Sequence, residues 1–276
     1  MKLGISSYTF GWAAGARVEG LIEPDDTPLL LDENGLLDYA QNFGVRVVQF
    51  GDNLPLLCLG EARLTQLAER SSLEQIEIEA GARRLTPQNI VDYVAVAYLL
   101  KASLLRFVID DADYHPEPDT VVGILHEVLP ALEENGVTIG IENHDRFAAT
   151  TLRAMIDAVD SEYVGVCLDS ANSLGGGEGL GEVLPILAPV TVNLHIKDFV
   201  IQRLPYLMGF TVSGRPAGQG MMQLPRVLEE LQRYDRCRSA TLELWTPPES
   251  TLSATIAKER EWAQQSIEYL RGFDWE

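Results

Sequence analysis

Short runs of aliphatic and β-branched residues alternate with helical patterns along the whole chain. They predict strands at Lys2–Ser7, Val45–Phe50, Gln75–Ala80, Leu104–Ile109, Val137–Glu142, Val164–Asp169, Val192–Asp198 and Ala240–Trp245. Successive strands start 27 to 48 residues apart, and one strand–helix unit needs about thirty. The two longest gaps hold the predicted loops Gly11–Leu31 and Val200–Met221, each following a strand. Helix signals fall between the strands: Thr86-Pro87 opens Gln88–Lys101, Gly136 closes the helix before it, and Leu224, Val227, Leu228 and Leu231 form an apolar stripe. Eight such units in one uninterrupted run, ending in a helix over Thr255–Arg271, predict one α/β domain over residues 1–276, a closed (β/α)8 TIM barrel. An open dinucleotide-binding sheet would carry GxGxxG after its first strand, where this chain has Ser6-Ser7-Tyr8-Thr9-Phe10.

Composition narrows the classes. Of 276 residues, 46% are apolar and 22% charged, as in globular proteins. No window of eighteen uninterrupted apolar residues suggests a membrane span, and Ser6, Ser7 and Tyr8 interrupt the N-terminal apolar run, so a cytoplasmic location is expected. With 21 basic against 41 acidic residues the net charge is −20, which disfavours nucleic acid and anionic membranes as partners. Cys58, Cys167 and Cys237 are widely spaced and are expected as small core residues. A homo-oligomer is compatible with all of this.

Alternation along the strands then singles out a set of polar residues. In the sixth, Gly165, Cys167 and Asp169 point inward. In the seventh, Val192, Leu194 and Ile196 face the helices and leave Asn193, His195 and Lys197 inside. In the eighth, Thr241, Glu243 and Trp245 are inward, and Glu142 is inward at the end of the fifth. Glu142, Asp169, His195 and Glu243 therefore converge near the C-terminal ends of four consecutive strands, the rim on which barrel active sites are built. Three carboxylates desolvated together repel one another unless a cation neutralises them or each finds its own donor. Oxygen-rich donors with one imidazole suit Mn²⁺ first, with Mg²⁺, Co²⁺ or Zn²⁺ admissible.

Several segments together resemble the xylose isomerase-like TIM barrels, a family that includes sugar isomerases and epimerases and the apurinic endonucleases. These are Glu142-Asn143-His144, Asp169-Ser170-Ala171-Asn172, His195-Ile196-Lys197-Asp198, the Gly218-Gln219-Gly220 turn and Glu243. The resemblance implies one divalent metal held by Glu142, Asp169, His195 and Glu243, with Glu142 and Glu243 also moving protons. Some features depart from it. Only His115, His126, His144 and His195 are present, too few for the endonucleases' trinuclear zinc site. Gln49 stands where many relatives place a glutamate, and Asn172 where epimerases often place a histidine.

The remaining candidates surround this quartet. His144 and Lys197 are expected to act on substrate, and Arg215, Asn172 and Trp245 to bind it, with Arg146 and Arg203 behind Arg215. His115 and His126 are expected in solvent. Inward alternation of Gln75, Glu77 and Glu79 beside Arg106 predicts a Glu77–Arg106 ion pair in the barrel interior. The expected function is a metal-dependent isomerase or epimerase of a sugar or related polyhydroxy carbonyl compound, acting through an enediolate. The alternatives are a lyase of the 3-dehydroshikimate dehydratase type with His144 as base, and a non-catalytic sugar-binding barrel.

Overall fold

A computed structural model describes residues 1–19, 31–206 and 208–276, and in it eight strands close into a parallel barrel. In chain order the strands are β1 (Lys2–Ser6), β2 (Val47–Phe50), β3 (Glu77–Arg83), β4 (Leu104–Val108), β5 (Thr138–Glu142), β6 (Val164–Asp169) and β7 (Thr191–Ile196). An antiparallel hairpin, β8 (Phe199–Arg203) and β9 (Phe210–Gly214), follows, and β10 (Ser239–Leu242) closes on β1. Around the barrel run α1 (Glu33–Phe43), α2 (Glu61–Glu74), α3 (Pro87–Leu100), α4 (Pro118–Asn135), α5 (Ala149–Val159), α6 (Leu180–Leu187), α7 (Leu224–Gln232) and α8 (Leu252–Leu270). The helix punctuation works as the residues suggest. The Asn89 N–H donates to Thr86 Oγ1 at 3.3 Å ahead of α3, and Gly136 ends α4 at φ 62°.

Strand residues facing the helices, among them Ile5, Val48, Ile78, Leu105, Ile139, Leu168, Leu194 and Leu242, are at most 4% exposed and form one continuous core. Their burial leaves the alternate residues to fill the barrel. Among the described residues no helix is long and apolar enough to cross a membrane.

The structure corrects the sequence reading at several points. The expected loop Val200–Met221 holds all of β9 and all but the first residue of β8, because Phe199–Arg203 and Phe210–Gly214 are β-prone runs joined across Pro205 and Gly209. Most of the other expected loop, Gly11–Leu31, lies outside the described residues. Val192 is the extra residue of a bulge in β7. Rather than facing the helices it packs against Gly140 and Gly165, where an added Cβ would come within 3.1 and 2.6 Å of its methyl groups. Cys58 is exposed, not in the core.

The Glu77–Arg106 pair does not form. Arg106 is level with Gly81, four residues further along β3 than Glu77, so barrel stagger separates the two. Glu77 pairs instead with Lys2, with its own side chain 59% exposed. Gln75 lies before β3 as the left-handed cap of α2, and of the three expected inward acids and amides only Glu79 is buried.

Candidate active site

The ends of β5, β6, β7 and β10 bring Glu142, Asp169, His195 and Glu243 together, each at most 2% exposed. Local hydrogen bonds fix their positions. Asn143 clamps the neighbouring strand end, its Oδ1 accepting from the Asp169 N–H at 2.7 Å and its Nδ2 donating to the Asp169 carbonyl at 3.0 Å. Asp169 Oδ1 accepts from the Ala171 and Asn172 N–H groups at 2.7 and 2.8 Å, which folds the chain back over the rim. Past β7, Asp198 accepts from the N–H groups of Gly218, Gly220 and Met222. A Cβ on Gly220 would lie 2.2 Å from Asp198 Oδ1, so only glycine permits this approach.

His195 is the hub, and its tautomer follows from its neighbours. Gln49 Nε2 donates to Glu79 Oε2 at 2.9 Å and to Asn193 Oδ1 at 3.2 Å, so Gln49 Oε1 is the acceptor facing His195 Nε2 at 2.7 Å. The proton on neutral His195 is therefore on Nε2, and the Nδ1 lone pair points into the site. That Nδ1 is buried without a hydrogen-bond partner. Around it stand Glu243 Oε1 at 3.4 Å, Glu142 Oε2 at 3.7 Å and Asp169 Oδ2 at 3.8 Å. Burial alone would lower the pKa of this imidazole, but the carboxylates of Glu243 and Glu142 outweigh it and raise the value.

Two fixed cations share the site. Burial alone would raise the Glu142 pKa, but the Arg106 guanidinium beside it wins and holds the carboxyl well below its usual range. Asn172 Nδ2 also donates to Glu142 Oε1 at 2.6 Å. Arg106 further pairs with Asp52 at 2.9 Å, and the Tyr8 hydroxyl donates to that same carboxylate. Lys197 Nζ lies 2.6 Å from Asp169 Oδ2 and 3.0 Å from Glu243 Oε2. Against the desolvation that opposes it, the ammonium draws the Asp169 carboxyl down to about 2, and the two acids raise the lysine in return.

With His195 neutral, as a metal ligand must be, four carboxylates (Glu142, Asp169, Glu243 and Asp52) meet two permanent cations (Arg106 and Lys197), and four minus two leaves a charge of −2. One divalent ion would neutralise it. The donors of Asp169, His195 and Glu243 lie within 4.8 Å of one another, and an unpartnered buried imidazole nitrogen faces three carboxylate oxygens. These residues fit a divalent cation.

Above the quartet opens a cavity of ≈ 610 Å³ whose wall includes Tyr8, His144, Asn172, Lys197, Val212 and Trp245. Val212 brings the β8–β9 hairpin into that wall. His144 Nε2 is 3.3 Å from both Glu142 Oε1 and Asn172 Nδ2, and Trp245 is 46% exposed. Arg215 is not brought there. It turns to Ser213, the Gly214 carbonyl and Gln202 within the hairpin region. Arg146 pairs with Asp110, and Arg203 stacks on Phe210. His115 and His126 are exposed. The sequence reading did not include Tyr8, Asp52 or Arg106 in the site and transferred no role to Gln49. Gln49 and Arg106 carry a readable sign, both being inward polar residues on strands; Tyr8 and Asp52 carry none.

Similar proteins place the chain in a family. Over 270 residues the chain is 30% identical to the 3-oxo-isoapionate decarboxylase of Pectobacterium atrosepticum, covering 98% of this chain and 95% of that protein. Its fold matches D-psicose 3-epimerase from Clostridium cellulolyticum, solved with D-tagatose, at a TM-score of 0.70 and 15% identity, covering 98% of this chain and 97% of that one. A xylose isomerase-like TIM barrel protein from Mycobacterium smegmatis, solved with magnesium, matches at a TM-score of 0.70 and 14% identity with the same coverage. A family model matches residues 35–273, and the chain belongs to the xylose isomerase-like TIM barrel family.

Proposed function

We propose that this protein is a divalent-cation-dependent decarboxylase of a 3-oxo sugar acid. The observation that carries this reading is the state of Glu142. An isomerase or epimerase must remove a proton from carbon, and a general base works best with a pKa near the working pH. Glu142 is instead held ionised by Arg106 and receives a hydrogen bond from Asn172, which makes it a weak base. Decarboxylation of a 3-oxo acid needs no such base. The C–C bond electrons pass into the ketone, CO₂ leaves, and the resulting enediolate takes one proton at carbon.

The chain's residues have work in that sequence. Asp169, His195 and Glu243, with Glu142, would hold the cation, and Mn²⁺ or Mg²⁺ suits a set so rich in oxygen. When bound, it supplies positive charge for the oxygen on which charge develops. Among the described residues Lys197 is the single permanent cation on the cavity wall and meets the anionic substrate, Asn172 orients a substrate oxygen, and His144 gives the proton to carbon. Trp245 and Val212 form an apolar side of the cavity that favours the loss of the carboxylate charge. The 30% identity to a 3-oxo acid decarboxylase over nearly the full length supports this substrate class.

The test is incubation of Mn²⁺-loaded protein with 3-oxo sugar acids in D₂O. CO₂ release with one deuteron in each product molecule is expected. A second reading, an isomerase or epimerase, is favoured by one observation: Glu142 and Glu243 approach His195 Nδ1 from different strands, as a two-base mechanism would need. Deuterium exchange into ketoses without any CO₂ from 3-oxo acids would replace the first reading with the second. A related dehydration with His144 as base would appear as water loss from 3-dehydroshikimate.

A further inference from the structure

Two trios of potential ligands meet at His195. Asp169, His195 and Glu243 form the first, and Glu142, Cys167 and His195 the second; in each, the ligand atoms lie within 4.8 Å of one another and all three residues are buried. Cys167 is two residues before Asp169 on β6, so it faces the barrel interior one layer deeper, level with Glu142 on β5. Its side chain is fully buried, and its S–H donates to Asn193 Oδ1 at 3.0 Å. His195 is common to both trios, and because its Nε2 is taken by Gln49 at 2.7 Å, the unpartnered Nδ1 is the ring atom left for a cation.

We propose that His195 serves two alternative cation seats, and that the deeper one, made by Cys167 with Glu142 and His195, takes thiophilic divalent ions such as Cd²⁺ or Zn²⁺. The two seats differ in donor chemistry. Carboxylate oxygens suit hard ions, whereas a thiolate with an imidazole suits soft and borderline ones. Binding in the deeper seat forms a metal–sulfur bond and releases the thiol proton, one per ion. Sharing Nδ1 makes the seats exclusive, so a soft ion excludes the hard ion and takes Glu142 with it. This inference is independent of the reaction catalysed.

The test is a Cd²⁺ titration of the full-length, chelator-stripped protein, read by the ultraviolet thiolate-to-cadmium charge-transfer band. One band saturating at one equivalent is expected. Cys167→Ser and Cys167→Ala should both abolish it while Mn²⁺ still raises their melting temperatures, and the double variant Cys58→Ser/Cys237→Ser should keep it. Excess Mn²⁺ should shift the Cd²⁺ midpoint upward. No band in the wild-type protein, a band surviving both Cys167 substitutions, or Mn²⁺ and Cd²⁺ binding without competition would each overturn the proposal.

Discussion

The barrel contains two polar layers that share β7 and β10, and only one of them is complete. In the lower layer, Glu79 accepts from Ser239 Oγ and Gln49 Nε2, while Asn193 Nδ2 reaches Ser239 Oγ at 2.8 Å and its Oδ1 accepts from Gln49 and Cys167. Burial raises the Glu79 pKa against these donors, so the layer tends toward a neutral, hydrogen-bonded plug. In the upper layer, Glu142 and Asp169 are held ionised, and His195 Nδ1 and Thr241 Oγ1 make no hydrogen bond. A buried network is stable when every member is satisfied, and an unfilled one marks where something else belongs. The lower layer is packing, and the upper layer is a site. Gln49 joins them, ending the lower network and setting the tautomer of the upper hub.

The largest effect should come from removing that hub. His195→Ala is expected to lose the rise in melting temperature that Mn²⁺ gives the wild type, about 2.7 kcal/mol of stabilisation at a hundredfold excess over Kd. Turnover of the true substrate should fall by at least about 10²–10³-fold, the scale of lost transition-state charge stabilisation. Thermal melts with and without Mn²⁺ check the first point, and an unchanged metal response would erase the distinction between the layers. Next comes Arg106→Met, which leaves Glu142 and Asp52 without their shared cation. In chelator, urea unfolding should show a loss of about 3–5 kcal/mol, the usual cost of stranding one partner of a buried pair. Restoration by Mn²⁺ of a large part of that loss would sharpen the comparison, since it would show the upper layer's charge deficit being met from outside.

Much of this was legible before any coordinates. The strand–helix repeat and the inward parity of Glu142, Asp169, His195 and Glu243 follow from alternation within single strands. What depended on stagger between strands was not legible: Arg106 was assigned to Glu77 and is found beside Glu142, because register sets which layer a residue occupies. The bulge at Val192 likewise breaks the parity of β7 at one residue, while leaving His195 inward. Asp52 lies in a turn past β2 and Tyr8 in the short 3-10 helix Ser7–Phe10 past β1, where strand alternation gives no direction. The charge of Arg215 in a long insertion points to substrate, but the hairpin there satisfies its guanidinium locally.

Gln49→Leu tests the link between the layers. It removes the acceptor that orients His195 and a donor to Glu79. Losing a metal ligand's orienting partner costs about 10–100-fold in metal affinity. Isothermal titration with Mn²⁺ should fall in that range, with thermal stability lowered as well because Glu79 loses a donor. An affinity equal to wild type would mean that His195 needs no help from below.

The smallest effects are opposite in sign and separate the two layers by pH. Asp169 has a folded pKa of about 2 against an ordinary 3.8, so its pairing with Lys197 stabilises the fold above pH 4 and is lost as pH falls toward 2. That contribution is about 2 kcal/mol. Glu79 is raised above its ordinary 4.5, so the folded state binds its proton more tightly than the unfolded chain does, and stability declines as pH rises from 4.5. In chelator, Asp169→Asn should therefore lessen the acid limb of a stability–pH curve, to which Glu142 also contributes, and leave the decline above pH 4.5 intact. Glu79→Gln should leave the acid limb intact and lessen the decline above pH 4.5, part of which remains because burial also raises Glu259, to about 7. Chemical denaturation between pH 2 and 8 reads both limbs. If Glu79→Gln instead flattened the acid limb, Glu79 would be an ionised member of the upper site, and the lower layer could no longer be read as packing.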